Sequence, residues 1–158
     1  MSEARITELL EQMTNGSEFF IGDYDDDVDI AGPKQYSITT GAKSAYLKIK
    51  VKYNALATIV LNTGLVIGTG GGAAAGTAIT FSKRDQSYTG APLTVLRKDY
   101  VLGSSGQSAG TAVVTEMQLP IIETIIKVKL KASTAYGLVI TSVADNNFGT
   151  VVFELDED

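Results

Sequence analysis

Thr124-Ile125-Ile126-Lys127-Val128-Lys129-Leu130-Lys131 alternates apolar residues with lysine. Successive side chains of a strand point to opposite sides of a sheet, so this stretch is a strand with one dry and one wet face. Two more strands follow it, Ala135 to Val143 and Phe148 to Leu155, joined by the turn Ala144-Asp145-Asn146-Asn147. The chain therefore closes in a packed antiparallel sheet, and no catalytic group stands out within it.

Upstream, Tyr46 to Tyr53 repeats the pattern, with Leu47, Ile49, Val51 and Tyr53 on one face and Lys48, Lys50 and Lys52 on the other. If the two lysine-bearing strands pair, six ammonium groups share one sheet face. Like charges opposite one another are unfavourable, so acidic groups from the Asp-rich segment and from the tail Glu154-Leu155-Asp156-Glu157-Asp158 are expected among them. Shorter strands are predicted at Ser17 to Ile21, Tyr36 to Thr39, Ala57 to Leu61, Gly64 to Ile67, Ala78 to Phe81, Pro92 to Val101 and Thr111 to Gln118. Nine or ten strands separated by Gly, Asn, Ser and Pro turns indicate a β-sandwich or barrel, and the lack of a second strong helix excludes βαβ architecture. Gly68 to Thr77 and Gly103 to Gly110 read as flexible loops by composition.

One helix is predicted, Ser2 to Met13, with Ser2 as its cap and Gly16 beyond its end. Ile6, Leu9, Leu10 and Met13 form a single apolar stripe. A helix of about three turns is marginal alone in water, so the stripe needs a surface to cover it, either its own β domain or a neighbouring subunit. Gly22 to Asp29 is strongly acidic and reads as an extended connector. The expected organisation is an N-terminal helix and acidic arm over residues 1–34, then a mainly β antiparallel sandwich over residues 35–158.

Composition narrows the function. The 158 residues contain no cysteine and no histidine, which removes disulfides, thiolate chemistry, Ser-His catalysis and His-based metal sites. The net charge of −5 argues against nucleic acid as a partner. No leader pattern or membrane-length apolar run is visible, so no membrane partner is expected. Asp23, Asp25, Asp27 and Asp29 suggest a calcium loop, but its sixth position is Val28 and its twelfth is Lys34, where glycine and a bidentate acid are required. Gly68 to Gly76 lacks the Lys-Ser/Thr and helix of a phosphate loop. Asp85, Asp99 and Glu116 are the carboxylates available for glycoside hydrolysis, in a chain with no tryptophan platform. Neither an enzymatic activity nor a cofactor is expected.

The run Leu130 to Ser142, then Asp145-Asn146-Asn147, then Val151-Val152-Phe153-Glu154-Leu155, resembles small tailed-phage proteins that decorate or brace the head, and related head-fibre domains. Gly76-Thr77-Ala78-Ile79 followed by Ser82-Lys83-Arg84-Asp85-Gln86-Ser87 is a second echo. The chain departs from the pattern in its Leu155-Asp156 ending and in lysine and aspartate where that family has asparagine and arginine. The resemblance implies a jelly-roll-like domain, a homotrimer, and attachment to the major capsid protein lattice on the virion surface. A tail, collar or receptor-binding fibre domain is the alternative. The partner-binding candidates are Ile6, Leu9, Leu10 and Met13 of the helix, with Asp25 and Asp27 of the acidic run.

Overall fold

The computed structural model describes residues 3, 18–84, 86–87 and 90–157. The predicted helix, including Ile6, Leu9, Leu10 and Met13, lies outside the described residues but for Glu3. Among the described residues the elements are eleven strands: β1 (Glu18–Val28), β2 (Lys34–Thr39), β3 (Ala45–Tyr53), β4 (Ala57–Thr63), β5 (Thr77–Ile79), β6 (Ser82–Lys83), β7 (Val95–Lys98), β8 (Thr111–Gln118), β9 (Thr124–Leu130), β10 (Ala135–Ser142) and β11 (Asn147–Glu157). They form a five-stranded sheet in the order β6-β1-β11-β3-β9 and a six-stranded sheet in the order β5-β7-β2-β10-β4-β8. Every pairing is antiparallel.

The long strands pair in a nested order. The first pairs with the last (β1 with β11), β2 with β10, β3 with β9 and β4 with β8. Successive pairs alternate between the two sheets. The three short strands β5, β6 and β7 are inserted between β4 and β8. Between the sheets, Leu47, Ile49, Val51, Val151, Phe153 and Leu155 meet Tyr36, Ile38, Ile59, Leu61, Leu138 and Ile140, all essentially buried. Tyr36 meets Phe153 edge-on across the gap, ring centroids 5.1 Å apart. At roughly 25 cal/mol per Å² of apolar surface, these facing rows supply the main driving force for folding.

The structure corrects three expectations. Residues 22–29, read as a connector, are mostly strand. Asp23 pairs with Val151 and Asp25 with Gly149, so this segment is part of the five-stranded sheet. The two stretches read as flexible loops instead meet each other through the bridge of Thr69 with Ser105, and each also bridges a residue just outside the other, Ser108 with Val66 and Ala74 with Val101. A Cβ at Gly103 would lie 2.6 Å from the Thr69 carbonyl oxygen, so close approach of two backbones, not looseness, explains that glycine. The predicted strand over 64–67 is reduced to the single bridge at Val66.

Candidate interaction surfaces

The acidic half of β1 is tied to the facing sheet. Phe19, Ile21, Asp23 and Asp25 take alternate positions, and the first two pack on the core. The carboxylates continue the inward row at the sandwich edge. The Lys34 ammonium lies 3.0 Å from Asp25, 3.0 Å from Asp99 and 3.9 Å from Asp23. Lys98 lies 3.2 Å from Asp23, and the Tyr36 hydroxyl donates to Asp23 at 2.7 Å. Burial opposes ionisation of Asp25, but the Asp27 amide and Lys34 outweigh it and lower its pKa. Burial likewise disfavours the charge on Lys34, and Asp99 and Asp25 more than compensate, raising its pKa. Burial, then the Asp23 hydrogen bond, makes the Tyr36 hydroxyl very hard to ionise.

Of the acidic candidates, Asp25 is thus engaged inside the molecule, while Asp27 is exposed and titrates above the usual range because Asp29 stands beside it. Among the described residues no acidic group is arranged to hold a metal ion. The carboxylates considered for hydrolysis do not converge. Asp85 is outside the described residues, and Asp99 pairs with Lys34. Glu116 is on β8, four strand positions from β7, which Asp99 follows. At about 4.8 Å per strand that is roughly 19 Å, against the roughly 5–9.5 Å needed by paired glycosidase carboxylates.

The outer face of the five-stranded sheet is charged. Strands β3 and β9 pair, with Lys48 opposite Lys127 and Tyr46 opposite Lys129. Glu154 of β11 supplies the expected counter-charge, 3.1 Å from Lys50, 3.7 Å from Lys48 and 3.1 Å from Arg84. Arg84 also meets Glu18 at 2.8 Å. Burial resists the Glu154 charge, but Lys50, Lys48 and Arg84 prevail and lower its pKa. By contrast, the outward positions of β4 and β10 carry no charge: Thr58, Val60 and Asn62, then Val139 and Thr141.

One end of the sandwich is apolar. Four loops meet there: 29–33, 54–56, 119–123 and 143–146. Hydrogen bonds join them side by side, from the Ile30 amide to the Asp145 carboxylate, from the Val143 amide to the Leu56 carbonyl, and from the Ile121 amide to the Tyr53 carbonyl. Gln118, buried, donates to the Tyr53, Leu119 and Ile122 carbonyls and holds the 119–123 corner in place. Ile30, Leu119, Ile121, Ile122, Val143 and Phe148 project from this end, 48% to 64% exposed. Ile121 does so from a backbone φ of 65°, a conformation costly for a β-branched residue. Sequence reading missed this surface, because it joins three separate turns and the start of β11, which only the fold brings together. No protein-family model matches the chain, and no curated protein or solved structure matches it either.

Proposed function

We propose that this chain is a non-enzymatic virion structural protein that binds the outside of a phage head and stabilises the capsid. The observation that carries the reading is the apolar end. Five large apolar side chains held outward by its hydrogen-bonded loops, with Phe148 at the start of β11, offer a docking surface. Of the carboxylates considered for hydrolysis, Asp99 pairs with Lys34 and Glu116 lies on the far strand of the same sheet. The nested pairing of β1 with β11 through β4 with β8 supports the jelly-roll form that the resemblance implies, an architecture shared by capsid and lectin domains.

The mechanism is mass action: a ligand that binds only the assembled lattice stabilises that lattice. Repetition over a symmetric shell turns weak contacts into firm attachment. The stripe Ile6, Leu9, Leu10 and Met13 adds a second contact from the N-terminal arm, and the copies associate as a homotrimer. The test is addition of the purified protein to heads stripped of it. Co-sedimentation and a higher capsid melting temperature support the reading. Protein that ignores heads but, added free, competes with infection supports the tail, collar or receptor-binding alternative instead.

A further inference from the structure

Five acids lie inside ion pairs: Glu18 with Arg84, Asp23, Asp25 and Asp99 with Lys34, and Glu154 with Lys48, Lys50 and Arg84. Asp26, Asp27, Asp29, Glu123 and Asp145 form no ion pair among the described residues, and all five belong to the apolar end. Asp26 and Asp27 occupy the register shift of β1, opposite the start of β11 that carries Phe148. The Asp29 carboxylate accepts the Asn146 amide at 2.9 Å, and the Asp145 carboxylate accepts the Ile30 amide at 3.1 Å. These two carboxylates thereby tie the loop of Ile30 to the loop of Val143. Glu123, exposed, follows Ile121 and Ile122 in the 119–123 corner. Under that corner Gln118 is 0% exposed and donates to three carbonyls, yet its side-chain oxygen meets no donor among the described residues.

The charge at this end is not balanced from within. Asp29 beside Asp27, with Asp26 and Asp25, holds the Asp27 carboxyl above its usual range. Lys52, one residue inside the end of β3, is an exposed cation on this side. Exposed Lys43, Lys129 and Lys131 lie toward the other end, beside the start of β3 and the end of β9.

We infer that the surface covering the apolar end is cationic: an apolar patch of the head lattice bordered by lysine or arginine side chains. This rests on the head-binding reading above and names the chemistry of the partner surface. Apolar contact area belongs to the centre of an interface, and charges at its rim set encounter rate and choice of partner. The same rim repels the identical end of a second copy, because a two-fold contact would set acid against acid.

The test is binding of the full chain to stripped heads at about 0.1 M and about 1 M salt, which cuts the screening length from about 10 Å to about 3 Å. The wild type is compared with D26N/D27N/E123Q, which removes three charges and leaves the Asp29 and Asp145 hydrogen bonds in place. Far-UV circular dichroism checks that the variant is folded. Wild-type binding is expected to weaken roughly tenfold or more at the higher salt. The variant should bind roughly tenfold less tightly at the lower salt and lose most of the salt effect. Wild-type binding that ignores salt, or a folded variant that binds as wild type does, overturns the cationic partner and leaves head attachment standing. A wild type that does not bind heads overturns both. If it then self-associates with a mass that falls as salt rises, the occupant is the lysine-bearing opposite end of another copy.

Discussion

Lys34 sits among three carboxylates with its side chain only 9% exposed, and it links β2 to β1 and to the residue after β7. Removing one member of a buried charge group costs more than the group contributes, since the remaining charges lose their counter-ion. Lys34→Met is therefore expected to lower unfolding stability by about 2–4 kcal/mol, the exposure of Asp99 keeping the loss below that of a fully buried pair. Urea denaturation measures it. The same residues set the pH dependence. Asp25 and Glu154 titrate below their ordinary values of 3.8 and 4.5, so their stabilisation is complete above those values and is lost as pH falls below about 4. Asp27, whose pKa is raised, titrates in the opposite sense and blunts that loss. Lys34, raised above 10.5, contributes fully below that pH and loses its contribution in alkali. Accordingly, the gap in urea midpoint between wild type and Glu154→Gln should be present at neutral pH and close as pH falls below about 4.

At the scale of elements, the lysine-alternating strands were legible because alternation is local. Lys127, Val128 and Lys129 declare two faces without help from the rest of the chain. Strand β1 was only half legible. Its inward row runs Phe19, Ile21, Asp23, Asp25, and the change from apolar to acidic ends the hydrophobic pattern. The strand continues because Lys34 and Lys98 reach those acids from the other sheet, a nonlocal compensation that a local pattern cannot contain. The glycine-rich segments misled for a related reason, since their partners are each other, some 35 residues apart. The 119–123 corner depends on one side chain, which also ties it to β3. Gln118→Ala leaves the carbonyls of Tyr53, Leu119 and Ile122 without their common donor, and should cost about 1–3 kcal/mol. Amide exchange at Ile121, which donates to Tyr53, should quicken in that variant.

For the whole molecule, the sandwich class was readable from strand count and turn spacing, whereas the apolar end was not. Ile30, Ile122 and Val143 are separated by long stretches of sequence and come to one end only when the nested strands bring their loops together, beside Phe148 at the start of β11. The charged outer face, the uncharged face and the apolar end are products of the same topology. The proposed lattice contact belongs to the loop end. A polar change at that end should therefore abolish head binding without altering fold or oligomer. The variant I122D/F148S, outward on both counts, is expected to keep wild-type secondary structure and solution mass.

The most direct measurement is co-sedimentation of the full-length protein with stripped heads, wild type beside I122D/F148S. Wild type is expected to pellet with the heads and raise their melting temperature, while the variant remains in the supernatant. Wild-type protein left in the supernatant, or a variant that pellets equally well, would contradict it.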